Sequence, residues 1–516
     1  MSVEKLALHR QMARVVSAAL VSIPPYVLFQ APRFGDEMRD PYTMTARYGL
    51  NPLKIIRGNL LDVRPFLELG NIRPLGRIMY SFEFVYAKGL ADLLRVPLPL
   101  VHAFVRTLAL WFAAYCIAGL WRAVETSGHE RSPAFPRVVG IMASAGACAT
   151  IATWSYQPLA FFPVQGLMSL AIVCFAATVS IQLGCRSTRG MLATAVGIGI
   201  VAACFYDLTY ASVLVVPAAI GGVRFRSRRL DRMQVSWRAC LPFLTGFLVV
   251  FVPIRLLVQR SCNVQECYAG SEAALTAGTV PAFGARLLSA LFPTYWSLNL
   301  SNLDVTPGSA ALAGIVGVGV GVAAWLAIRL APSGVSVQRP GQAAIVVLGT
   351  LAIAWSATAG MSALSVSQQQ IGFQPLAPWR DGIIGYLFLA TGCWAFVEMT
   401  SRHANPIHFR GALVLLTVLV SLQFQFNANS IAIARDASPT STYAQADDLV
   451  AGHASDGEFC DLANELYDLT LNRETQYFAT ALLAALRELN PVPGCAGYTH
   501  PLDLEQWHRR QLGYFD

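Results

Sequence analysis

Residues 158–183 read PLAFFPVQGLMSLAIVCFAATVSIQL, an unbroken stretch with no charged side chain. At about 1.5 Å of rise per residue, a helix of this length clears the roughly 30 Å hydrocarbon core of a bilayer. Similar windows lie near 13–30, 98–120, 138–154, 190–205, 209–223, 240–258, 309–328, 342–361, 382–399 and 411–427. The reading is therefore an all-α polytopic membrane protein with about eleven transmembrane helices. The windows at 190–205 and 209–223 are the shortest. The first window is expected to be a retained span: Pro24 and Pro25 interrupt it, and no small-residue cleavage pattern follows at Phe29-Gln30.

Composition agrees. Hydrophobic residues make up 55% of the chain and charged residues 13%, about half the charged share of an ordinary globular domain. Mean hydropathy is +0.48. These values exclude a disordered chain, a collagen-like chain and a soluble multidomain enzyme. The formal charge of +8 invites a nucleic-acid reading, but the location of the charges removes it. Counting loops alternately from an inside N-terminus, the inside segments hold eighteen basic residues, among them Lys5, Arg10 and Arg14 and the six arginines from Arg224 to Arg238. The short outside turns at 154–158 and 205–210 hold none. That asymmetry follows the positive-inside rule and places the N-terminus in the cytoplasm and the C-terminus outside.

Two regions lie outside the spans. The first external loop, 31–97, carries ten basic residues. Within it Leu53, Ile56, Leu60, Val63 and Leu67 form one helical stripe with Lys54, Arg57 and Arg64 beside it, the pattern of an amphipathic helix in the outer interface, in contact with membrane lipids. The chain divides into a transmembrane domain over 1–428 and a small extracytoplasmic C-terminal domain over 429–516. The tail has thirteen acidic and five basic residues. Amphipathic helices are expected at Thr442–Val450, with Ser441 as cap, and at Gln476–Leu489. Four of the eleven cysteines, Cys262, Cys267, Cys460 and Cys495, fall outside, and an even exported number suits an oxidising compartment. The pairings read are Cys262–Cys267 and Cys460–Cys495; four buried free thiols are the alternative. No phosphate loop, tandem repeat or metal-ligand cluster is present, and no cofactor or metal is expected.

Residues with chemical potential gather at the outer ends of the spans. Asp36, Glu37, Arg39 and Asp40 follow the first span directly, and a partly desolvated carboxylate flanked by arginine is suited to general-base work. A solvated loop end gives the same pattern. His102 and Arg106 are four residues apart and share a helix face near the outer end of the second span. Arg255 lies near the outer end of the seventh span, where it either serves function or snorkels. Trp154, Tyr156 and Gln157 mark one short turn, and Tyr206, Asp207 and Tyr210 the next; sugar sites and interfacial aromatic belts both use such residues. Asp207 is the harder to assign to a belt, because a charge between two apolar spans needs a reason. Ser367, Gln368, Gln369, Gln370 and Gln374 precede Arg380, whose alternative role is a local pair with Asp381.

The order of these features resembles the GT-C superfamily of integral membrane glycosyltransferases, which use polyprenyl-phosphate-linked sugars. Asn71-Ile72-Arg73-Pro74-Leu75-Gly76 is similar to the Gly-Arg-Pro-Leu stretch of several bacterial members, including relatives of the O-antigen glucosyltransferases, with Ile72 in place of the glycine. The resemblance spans roughly residues 1–210. It implies a bacterial plasma-membrane enzyme that moves a sugar from a polyprenyl-phosphate carrier to a hydroxyl of a glycan, lipid or protein. It implies Asp36 as general base, with Glu37 as second choice. Donor-phosphate contacts are then expected from Arg73, Arg77, His102, Arg106 and Arg380. Substrate contacts are expected from Arg39, Asp40, Gln157, Tyr206, Asp207 and Tyr210. Two other classes remain open at this point. A transporter or glycan flippase would carry repeated halves around a midplane site, which the sequence does not show. A polysaccharide polymerase or ligase would place its arginines in a later external loop, and 259–308 is long enough for that.

Overall fold

A computed structural model describes, apart from a few gaps of one or two residues, residues 40–61, 66–126, 137–142, 163–185, 188–228, 235–264, 272–329, 340–371, 381–401, 406–437, 456–470 and 483. Among these residues all regular structure is helical except for one isolated antiparallel bridge between Ala273 and Ser365. The helices are α1 (Pro52–Leu61), α2 (Pro74–Leu94), α3 (Leu98–Thr126), α4 (Pro163–Cys185), α5 (Arg189–Phe205), α6 (Ser212–Arg228), α7 (Cys240–Val264), α8 (Thr279–Ser289), α9 (Pro307–Arg329), α10 (Pro340–Leu364), α11 (Val366–Ile371), α12 (Gly382–Ser401), α13 (Pro406–Ala437) and α14 (Asp456–Thr470).

Eight of the described helices are long and apolar enough to cross a membrane: α3, α4, α6, α7, α9, α10, α12 and α13. The protein is a multi-pass, all-helical membrane protein. The eight match the expected second, fourth and sixth to eleventh spans. The expected fifth span is α5, apolar but shorter at 17 residues. The first lies outside the described residues, and only 137–142 of the third is described.

Burial ranks the spans. The apolar window of α4 is 83% buried, whereas those of α7 and α13 are 22% and 28% buried. A helix that is hydrophobic all round belongs either in the core or against lipid. Here α4 is the hub and α7 and α13 are the rim. The most extensive pairings are α3 with α4, α5 with α7 and α9 with α13. Small residues make such approaches possible: a Cβ on Gly199 of α5 or on Gly246 of α7 would strike the backbone of the partner helix.

A buried charged cluster joins two of the spans. Arg137 donates to both oxygens of Glu125 at 2.8 Å and to both of Glu398 at 3.2 and 2.9 Å, so it ties the ends of α3 and α12 together. All three side chains are at most 8% exposed. Each carboxylate receives a guanidinium edge, which is what makes charge tolerable at such burial.

Outside the spans, α1 buries Ile55 and Asn59 against α2, and Asn59 Nδ2 donates to Ser81 Oγ at 3.2 Å. Leu53, Leu60 and Leu61 face outward, as do Lys54 and Arg57. The span of α13 continues unbroken to Ala437, past the expected domain boundary at 428. In the tail, α14 lies between the two expected helices and was not anticipated; Thr442–Val450 lies outside the described residues, as does all of Gln476–Leu489 but Leu483. Cys262 and Cys460 are disulfide-bonded, while their expected partners Cys267 and Cys495 lie outside the described residues. Cys116, Cys174, Cys185, Cys204, Cys240 and Cys393, all in helices, are not in disulfides.

Candidate functional site

Proline at the first position of α2 fixes the entry of that helix, leaving Arg73 as its N-cap. One turn later Gly76 meets the end of α5, where a Cβ would strike the carbonyl oxygen of Phe205. Gln165 of α4 secures the contact by donating Nε2 to the Gly76 carbonyl at 3.1 Å. The approach delivers Arg73 to the 3₁₀ turn Asp207–Ala211 that joins α5 to α6. That turn is closed by Thr209, whose N–H donates to Tyr206 O at 2.9 Å and whose hydroxyl donates to Ala202 O and Tyr206 O.

There Arg73 Nε donates to Asp207 Oδ1 at 3.0 Å and Nη2 donates to Oδ2, a two-point fork spanning 134 residues of sequence. The guanidinium lies over the Tyr206 ring, 4.5 Å from its centroid. Burial opposes the charge on Arg73, but Asp207, Tyr206 and Tyr210 outweigh it, and the arginine pKa is raised. Next along the wall, Arg255 of α7 lies over Tyr210 and Phe251, 5.5 Å from each centroid.

These groups line a cavity of about 340 Å³. Arg73, Tyr206, Asp207, Tyr210 and Arg255 form one wall. The other is formed by Glu272 and Ala273 with the end of α10 and the start of α11: Thr358, Ser362, Ser365, Ser367 and Gln368. Backbone pairing holds this second wall together, with Val366 N donating to Glu272 O at 3.0 Å and Ala274 N to Leu364 O at 2.9 Å. Behind Ser362 the buried Asp381 neighbours the buried Arg286; burial raises the Asp381 pKa, against Arg286 and Ser362, which pull it down. Burial likewise lowers the Arg286 pKa, against the pull of Asp381.

The structure thus brings together four of the expected site residues, Arg73, Tyr206, Asp207 and Tyr210. Four others lie elsewhere. Asp40 accepts a hydrogen bond from Tyr80. Arg77 stacks on Phe66 at 3.7 Å. His102 and Arg106 do share a face of α3, but both are buried in the bundle, with His102 Nδ1 3.9 Å from Glu83 and its ring 5.1 Å from Phe84. None of the four lines the cavity. Asp36, Glu37, Arg39, Gln157 and Arg380 lie outside the described residues. Glu272, Thr358, Ser362 and Ser365 line the cavity without having been singled out. Thr358, Ser362 and Ser365 are signalled only by position, as polar groups at or just beyond the end of the apolar window 342–361, and Glu272, in the long 259–308 segment, by nothing.

Chemically, the cavity offers two guanidinium groups, two carboxylates, two phenols, several hydroxyls and an amide at one end of an apolar bundle. Such a set suits a ligand with an anionic part and a hydroxyl-rich part. Neither the family models nor the curated proteins give a match to this chain.

Proposed function

We propose that this protein is an integral membrane glycosyltransferase of GT-C type, moving a sugar from a polyprenyl-phosphate donor to a hydroxyl acceptor on the extracytoplasmic face of a bacterial plasma membrane. The observation that carries the reading is the cavity's paired equipment, Arg73 and Arg255 for phosphate beside tyrosine, hydroxyl, carboxylate and amide groups for a sugar. Arg255 is exposed near the end of α7, the helix most open to lipid, which suits a headgroup whose tail stays in the bilayer. The acceptor is a glycan, a lipid or a protein; nucleic acid has no part in it.

In this reading the acceptor oxygen attacks the anomeric carbon as the bond from that carbon to the phosphate oxygen breaks. Polyprenyl phosphate departs with the bonding pair, and the acceptor proton passes to a carboxylate, Asp36 with Glu37 as second choice. Arginine stabilises the charge that develops on the leaving phosphate, more strongly in a low-dielectric site than in water. The test is incubation of the purified protein with polyprenyl-phosphate sugars. Sugar-dependent release of polyprenyl phosphate, abolished by Asp36→Asn with insertion and yield unchanged, is the expected result. Full activity in that variant removes Asp36 as base. No release with any donor, combined with substrate flux in liposomes, replaces the enzyme with a transporter.

A further inference from the structure

The second wall of the cavity carries two hydrogen-bond acceptors that lack donors. Gln368 is 3% exposed and lines the cavity, and its Oε1 has no hydrogen-bond partner among the described residues. Glu272 also lines the cavity, and no described residue engages its carboxylate. For the buried Gln368 an acceptor without a donor is costly, so it is rarely left so without a use; Glu272 is exposed and its carboxylate is open to solvent and ligand.

The backbone beneath both groups is fixed. Gln368 N donates to Ser365 O at 3.0 Å, and Val366 N donates to Glu272 O at 3.0 Å. The adjacent Gln369 supplies the clamp: its Nε2 donates to Ala274 O at 2.7 Å, and its Oε1 accepts from Thr276 Oγ1 at 2.6 Å. Of two neighbouring glutamines, one is consumed in holding the wall and the other lines the cavity with its buried Oε1 unpaired.

The first wall has the opposite character. Asp207 occupies Arg73, but Arg255 has no carboxylate partner among the described residues. One wall therefore holds two acceptor groups that no described residue engages, beside hydroxyls that can donate or accept, and the other holds a cation without a carboxylate partner. A ligand satisfying both carries O–H groups at one end and a negative charge at the other. Resting on the glycosyl-transfer reading, we propose that Gln368 and Glu272 are specificity-determining residues that accept hydrogen bonds from the hydroxyls of an unsubstituted hexose, with the carrier phosphate toward Arg255.

The experiment measures binding of short-chain polyprenyl phosphate to the purified protein, either free or bearing glucose, galactose or mannose. Wild type is expected to bind one hexose form at least tenfold more tightly than the sugar-free phosphate. Gln368→Met and Glu272→Met are each expected to erase most of that increment while leaving the sugar-free affinity unchanged. Glu272→Gln, which keeps an acceptor oxygen, retains part of it. If Gln368→Met does not fold, the exposed Glu272 decides through its own two variants. An increment intact in both methionine variants overturns the proposal, as does a wild type that prefers none of the three hexoses. Failure of the glycosyl-transfer reading shows differently: the sugar is bound with the expected variant pattern but is never released from its phosphate.

Discussion

Arg73 is the residue on which the proposed site turns. Its side chain is 16% exposed and that of Asp207 39%, so the pair is only partly withdrawn from water and its value to stability is about 1 kcal/mol or less. Its value as geometry is larger, because a planar fork fixed by a carboxylate and stacked on Tyr206 has one orientation. Arg73→Lys keeps the charge and loses the fork. It is expected to lower sugar transfer at least tenfold with a thermal midpoint within a few degrees of wild type, which kinetics and a melting curve in detergent read together. Equal activity in Arg73→Lys would reduce the arginine to a point charge. At this scale Asp207 was legible because a charge between two apolar windows has few innocent explanations. Arg77, His102 and Arg106 were less so: helical spacing tells which residues share a face but not which helix that face meets. Glu272 was invisible, since one acid in a long loop resembles any other until Val366 pairs with its backbone.

At the scale of elements, the site is positioned by close contacts between helices that carry no chemistry themselves. Gly76 is among the tightest, with α2 entering against the last turn of α5. Gly76→Ala is expected to destabilise the protein by about 1–3 kcal/mol, the usual cost of overpacking, and to reduce sugar transfer further than Arg73→Lys by moving Arg73 away from Asp207. A double variant Gly76→Ala, Asp207→Asn that loses no more activity than Gly76→Ala alone would place both effects on one contact. The Arg137 cluster makes a separate prediction. Arg137→Met leaves Glu125 and Glu398 buried without their cation and is expected to cost about 3–5 kcal/mol, read as a large fall in thermal midpoint. Glu125→Gln with Glu398→Gln in the same chain should recover part of it. The span pattern that holds these contacts was readable from apolar length alone, as α3, α4, α6, α7, α9, α10, α12 and α13 show. What length could not reveal was the order of burial, because α4 and α7 both carry apolar windows of spanning length and only packing makes one a hub and the other a rim.

For the whole molecule, the decisive property is which way the bundle faces. The cavity is built from the start of α2, the α5–α6 turn, the second half of α7 and the end of α10, and these meet at one end of the bundle. We propose that this end faces outside: the charge asymmetry of the loops supports it, as do the disulfide-bonded Cys262 and Cys460, since disulfides persist in oxidising compartments and are rare in the cytosol. Cys262 lies seven residues beyond Arg255 on the same helix, α7, so its compartment is the cavity's compartment. A membrane-impermeant maleimide added to intact cells is therefore expected to leave Cys262 and Cys460 unlabelled, and to label both after an impermeant reductant, with the modified peptides identified by mass spectrometry. The cysteines within the spans that are not in disulfides serve as internal controls that stay unmodified under both conditions. Labelling of Cys262 only after permeabilisation would turn the bundle over, place the cavity in the cytoplasm and remove the extracytoplasmic reaction with it. Labelling from outside would put Arg255, and with it the anionic end of any ligand, at the outer leaflet, where a lipid-linked sugar can reach the cavity without leaving the membrane.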